Sequence, residues 1–174
     1  MRTLTRSAIV LSAAVALVGV SAVPAMAVDA PSDIEVAVNA GELSITSEAI
    51  VMPNVAPGVA STSAAFAVAV GDLRAQSELG WVTTVSMTEL TGATAANVLS
   101  PALATYTSTT AAFTGIVSIA NAASVTDLTE ATPVQTATAI SGNNTAGWNS
   151  TLSVAVPAAA LADTYRAVLT QSVL

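Results

Sequence analysis

Alternation with a period of two runs through this chain, and it restricts the fold to sheets. Successive side chains of a strand point to opposite faces, so a half-buried strand shows apolar residues at every second position. "FAVAVGD" puts Phe66, Val68 and Val70 on one face and small alanines on the other. "WVTTVSM" groups Trp81 with Val85 and Met87, and "TLSVAVP" groups Leu152, Val154 and Val156. "ELSITSE" sets Leu43 and Ile45 against Glu42, Ser44 and Thr46. "TYRAVLTQSV" groups Tyr165, Ala167, Leu169 and Val173. Weaker strand candidates are Ile34–Asn39, Ala102–Thr109, Thr114–Ala120 and Val134–Ile140. Alanine is abundant, but β-branched residues dilute it and Gly and Pro interrupt it, so helix has little support. Many short strands with one polar face predict an all-β fold, a single antiparallel β-sandwich or a related barrel.

The N-terminus is read separately. "MRTLTR" is positive, Ser7–Val23 is apolar, Pro24 breaks the run and "AMA" at Ala25–Ala27 is a small-x-small cleavage site. Residues 1–27 therefore read as a secretory signal peptide. The apolar run is short for a bilayer span and no basic cluster follows it, so no membrane span is expected after cleavage. Residues 28–174 suit one domain, with no linker long enough to divide them.

Charge narrows the partners. Residues 28–174 hold Arg74 and Arg166, all eleven acidic residues and no lysine. Phosphate binding depends on Lys and Arg, so nucleic acid is excluded as a partner. Cysteine and histidine are both absent. That removes thiol chemistry, zinc sites and most acid–base chemistry. The acidic residues are scattered, with neither the paired carboxylates of a glycosidase nor the spacing of a calcium loop. No catalytic residue, cofactor or metal ligand is assigned, and the chain reads as non-enzymatic.

Between the strands, Met52–Ser61 reads as a proline-bearing connection and Ser141–Ser150 ("SGNNTAGWNS") as a long polar loop. Four residues stand out as candidates for binding a wall polymer or a partner: Asp72, Arg74, Trp81 and Trp148. Trp81 could be a platform on which a sugar stacks, flanked by Asp72 and Arg74. Its phase with Val85 and Met87 favours the core instead, with Asp72 paired to Arg74 near the turn. Trp148, among Asn and Gly, is either an exposed ligand contact or a lid packed over the end of the sandwich.

Three blocks carry a resemblance: "GELSIT" (Gly41–Thr46), "VAVGDLRAQSELGWVTTVS" (Val68–Ser86) and "GNNTAGWNSTLSVAVPAAALADTYRAVLTQSVL" (Gly142–Leu174). In order and spacing they resemble the WxL-domain surface proteins of Gram-positive bacteria. The resemblance implies a signal peptide, an Ig-like β-rich domain and non-covalent attachment to the cell wall through peptidoglycan. Of the two Trp-x-Leu motifs, the first corresponds to Trp81–Val82–Thr83. The second corresponds to Gln171–Ser172–Val173, so Gln171 stands where the family has tryptophan.

The expected function is that of a secreted cell-surface protein held non-covalently on the wall. The alternative is a structural or adhesive subunit that binds other surface proteins or itself through strand edges. The closing segment, Thr164–Val173, is expected to be one strand that completes the sandwich. Tyr165, Ala167 and Leu169 should face inward, and Arg166, Thr170 and Ser172 outward. Gln171 falls on the inward phase and must find hydrogen-bond partners there.

Overall fold

The computed structural model describes residues 34–122 and 124–174. The expected signal segment lies outside them. Residues Ala37–Leu174 form one compact unit. Its strands are β1 (Leu43–Ser47), β2 (Thr62–Asp72), β3 (Trp81–Met87), β4 (Leu90–Gly92), β5 (Val98–Leu99), β6 (Ala104–Ser108), β7 (Ala112–Asn121), β8 (Ser124–Thr126), β9 (Thr132–Val154), β10 (Tyr165–Arg166) and β11 (Leu169–Val173). One short 3₁₀ turn, Pro101–Leu103, is the helical element among the described residues. The all-β antiparallel sandwich expected from the alternation is the fold.

β9 is its spine. It runs for 23 residues and pairs along both of its edges. Along one edge lie β2, from Thr62↔Val154 to Asp72↔Asn144, and then β3, from Trp81↔Ala137 to Val85↔Thr132. Along the other lie β6, against Ser150–Val154, and β7, against residues 135–147. β1 adds to β2, β11 adds to β3, and β8 adds to β6. A small second sheet, β10–β4–β5, stands beside this one.

A strand this long serves both layers because it bends. Ala139 (φ 54°) and Gly142 (φ 70°) leave the extended region. Opposite them β7 carries Gly115 at φ 86°. A side chain there would also strike the Asn143 carbonyl, so only glycine fits on both counts. The inward residues of β9 on both sides of the bend share one core cluster with Phe66, Val68 and Val70 of β2, Trp81, Val85 and Met87 of β3, and Tyr106 of β6. Phe66 and Tyr106 meet edge to face, with ring centres 6.0 Å apart.

Three expectations are corrected. The segment Ser141–Ser150 is not a loop but the middle of β9. Its inward series is Asn144, Ala146, Trp148 and Ser150, continued by Leu152 and Val154, all buried. Partners on both edges hold it extended despite its polar composition. Ile34–Asn39 is not a strand, and Ile34, Val36 and Val38 are 88%, 76% and 80% exposed. The closing segment is two strands, not one. β10 pairs with β4 and β11 with β3, and Thr88–Glu89 separates β3 from β4. The chain must step across that gap, so Ala167 and Val168 leave the ladder and are exposed. There the Thr88 amide donates to the Val168 carbonyl (3.0 Å), and the Val168 amide to Thr88 Oγ1 (2.9 Å). Tyr165 and Leu169 do turn partly inward, while Arg166 and Thr170 are exposed. Ser172 is only half-buried rather than outward.

Candidate functional site

Three of the four sequence candidates converge at the bend of β9. Asp72 ends β2 and is buried, although it is a carboxylate. Arg74, two residues on, donates from Nε to Asp72 Oδ1 (2.9 Å) and from Nη2 to Asp72 Oδ2 (3.0 Å). Its Nη2 also reaches the Gly80 carbonyl (3.1 Å), and so closes the turn between β2 and β3. Asn144, across the β2–β9 ladder, donates to Asp72 Oδ2 (3.3 Å) and accepts from Trp81 Nε1 (3.3 Å). The result is a continuous relay, Arg74–Asp72–Asn144–Trp81. The Arg74 guanidinium holds the Asp72 carboxyl below the ordinary carboxylate range. Trp81 is 1% exposed, so its ring presents no face to solvent. This arrangement fastens a turn to the spine.

The fourth candidate, Trp148, is also inside. Its Nε1 donates to the Tyr106 hydroxyl (3.3 Å). Tyr106 is bonded to Ser150 Oγ and donates to Gln171 Oε1 (3.1 Å), and Gln171 Nε2 donates to Ser47 Oγ (2.9 Å). Gln171 therefore faces inward as its phase requires, with a partner at each end of its amide. It ties β11 to β6 and, through Ser47, to β1. Burial raises the pKa of the Tyr106 hydroxyl, which keeps it protonated and able to donate.

What lies open is elsewhere. At the far end of β2 from Asp72 is a cleft of about 1350 Å³. Ile50, Met52, Leu90, Leu99, Val156 and Leu169 supply much of its apolar lining. Val51 and Val168 also line it, and both are largely exposed. Two strand edges without a ladder partner among the described residues border it: β1, which pairs with β2, and β11, which pairs with β3. Two of its charged groups are engaged within the fold. Glu48 accepts from the Ala67 amide (3.0 Å). Asp163 accepts from the Ala93, Thr94 and Thr164 amides and from Asn97 Nδ2. Arg166 lines it too, is exposed, and has no ion-pair partner among the described residues.

Sequence reasoning passed over this cleft. Its walls come from the proline-bearing connection, which shows no periodic signal, and from the step between β10 and β11, which the alternation of Thr164–Val173 hides. The one usable sign was Arg166, a rare cation in an acidic chain. Phe113, on β7, was missed as well, and it is the aromatic ring left half in solvent (51%). Among the described residues no group of three acidic side chains could hold a metal ion. No helix among them is long and apolar enough to cross a membrane. No family model, no curated protein and no solved structure matches the chain.

Proposed function

We propose that this is a non-enzymatic surface subunit of a Gram-positive envelope that works by binding other proteins through the cleft beside β1 and β11. The envelope location rests on the signal-like N-terminus and the WxL resemblance. The choice of protein as ligand rests on one observation. The open surface is a large apolar cleft bordered by uncovered strand edges, whereas both tryptophans that might have stacked on a sugar are buried. An extended peptide suits such a site, because strand edges offer main-chain hydrogen bonds while the floor takes alternate side chains. The volume exceeds the roughly 300–1,000 Å³ of common small-molecule pockets.

The test uses cells expressing the full chain. Cross-linking on intact cells should join it to proteinaceous partners, and Val168→Asp together with Val51→Asp should abolish the adducts. Purified peptidoglycan should not sediment the protein. If peptidoglycan carries it down and the cleft variants cross-link as before, the ligand is the wall polymer and this reading fails.

A further inference from the structure

Among the described residues, an apolar segment is exposed to solvent and a broad cleft with apolar lining lies open. Residues 34–38, Ile-Glu-Val-Ala-Val, alternate as a strand does. Their large side chains at 34, 36 and 38 are nearly as exposed as in an unfolded chain. Three such side chains on one face of an extended segment are costly to leave in water. The cleft asks for a ligand of this pattern. It has apolar lining, two strand edges with unpaired backbone groups, and on its wall Arg166, a cation with no ion-pair partner among the described residues.

We infer that the cleft receives the Ile34–Val38 segment of a second copy of this chain. Resting on the proposed protein-binding role of the cleft, this names the partner. Ile34, Val36 and Val38 face the floor, and the backbone adds to an uncovered strand edge. Glu35, on the opposite phase, is left at the mouth, where Arg166 can meet it. Charge favours this match. In a chain with eleven acidic residues, the cleft has placed beside its apolar floor one of the two arginines outside the N-terminal segment. The contact is heterologous, since segment and cleft are different surfaces of the same molecule. Copies therefore join head to tail, and the assembly need not close at two.

The experiment takes the full chain, expressed in a Gram-positive host and purified in the form that host produces. Light scattering over a concentration series should show a mean mass that climbs past twice the monomer. Val36→Asp removes the donor and keeps the cleft, and Val168→Asp does the reverse. Both positions are exposed, so thermal melts should match the parent. Each variant alone should stay monomeric, and their mixture should form a species of two chains and no larger. Arg166→Glu should weaken association by about tenfold or more, the factor that corresponds to about 1.4 kcal/mol. Adding Glu35→Arg should restore it.

Three outcomes overturn the inference. One is a parent that stays monomeric at every concentration. Another is a Val36→Asp chain that assembles like the parent. The third is a mixture of the two variants that gives no heterodimer. None of these touches the protein-binding role itself. That role fails only if the Val168→Asp, Val51→Asp chain still cross-links on cells as the parent does.

Discussion

β2 joins two regions that treat polar and apolar groups in opposite ways. At its Asp72 end a carboxylate, a guanidinium, an amide and an indole N–H are shut away and bonded to one another in series. At its Thr62 end apolar side chains stand open to water beside two strand edges that touch through Gln171 and Ser47 but share no backbone ladder. The first arrangement is self-sufficient, and removing a member strands the rest. The second is incomplete, and a surface change there leaves no buried group without its partner. The conspicuous residues of this chain, its tryptophans and its Asp–Arg pair, therefore serve the fold. The apolar part of the open surface is built from ordinary Val, Ile, Leu and Met.

The largest expected effect falls on both regions at once. Deleting Val168–Leu174 removes β11, which borders the cleft and also carries Gln171 to Tyr106 and Ser47. Leu169 and Val173 are partly buried against the core, and since full burial of such a side chain is worth about 1.5–3 kcal/mol, each contributes a fraction of that. The edge of β3 would be bared as well. Together these losses rival the net stability of a domain, about 5–15 kcal/mol. The truncated chain should show no cooperative melt. A melt near the parent midpoint would mean that β11 belongs to the open region alone.

Next comes the relay. Asp72→Ala leaves Arg74 and Asn144 without their shared acceptor. The cost should be about 3 kcal/mol, the low end for breaking a buried ion pair, because Arg74 still reaches some water. Urea unfolding reads this directly. The same carboxylate sets an acid limit. Its pKa is lowered in the folded state, so its contribution is present above the unfolded value near 4 and is lost as pH falls through the folded one. Stability of the parent should therefore drop below about pH 4. In Asp72→Asn the drop should be shallower. It should not vanish, because Asp127 and Asp163 are shifted in the same direction by their hydrogen bonds. An unchanged pH slope would show that the relay does not couple Asp72 to folding.

The open region predicts the contrary. Val168→Asp should change unfolding free energy by no more than about 0.5 kcal/mol, as surface substitutions usually do. The same variant should lose partner binding. A loss of more than about 2 kcal/mol would place Val168 in the packed region and erase the contrast between the two ends.

How much of this was legible follows the same division. β2 and β3 were plain because large apolar residues mark their inward phase. Tyr165–Val173 was legible in part: the inward turns of Tyr165, Leu169 and Gln171 followed from period two. The step at Ala167 did not, because it is set by which strand each half pairs with. The middle of β9 was misread because its inward series includes Asn144 and Ser150. Those residues resemble a loop until Trp81, Asp72 and Tyr106 are known to lie opposite them. Ile34–Asn39 was misread in the other sense. Alternation states what a strand would bury, but not whether a neighbour exists to bury it.

The smallest effect sharpens the account of the bend that separates the two layers. Ala139 sits at φ 54° within β9, in the left-handed region that a Cβ disfavours. An L-residue there costs about 1–2 kcal/mol, whereas glycine adopts it freely. Ala139→Gly removes that strain but adds about 0.5–1 kcal/mol of chain entropy to be lost on folding. The Ala139 side chain is exposed, so no packing is lost. The balance favours the variant by at most about 1.5 kcal/mol, which should raise the melting temperature by a few degrees. Gly142, three residues along at φ 70°, is the control: Gly142→Ala has open space around it and should lose stability for the same backbone reason. If Ala139→Gly instead destabilises and Gly142→Ala is neutral, the turn of β9 is not carried by left-handed residues. The two layers would then owe their shared spine to pairing along its edges alone.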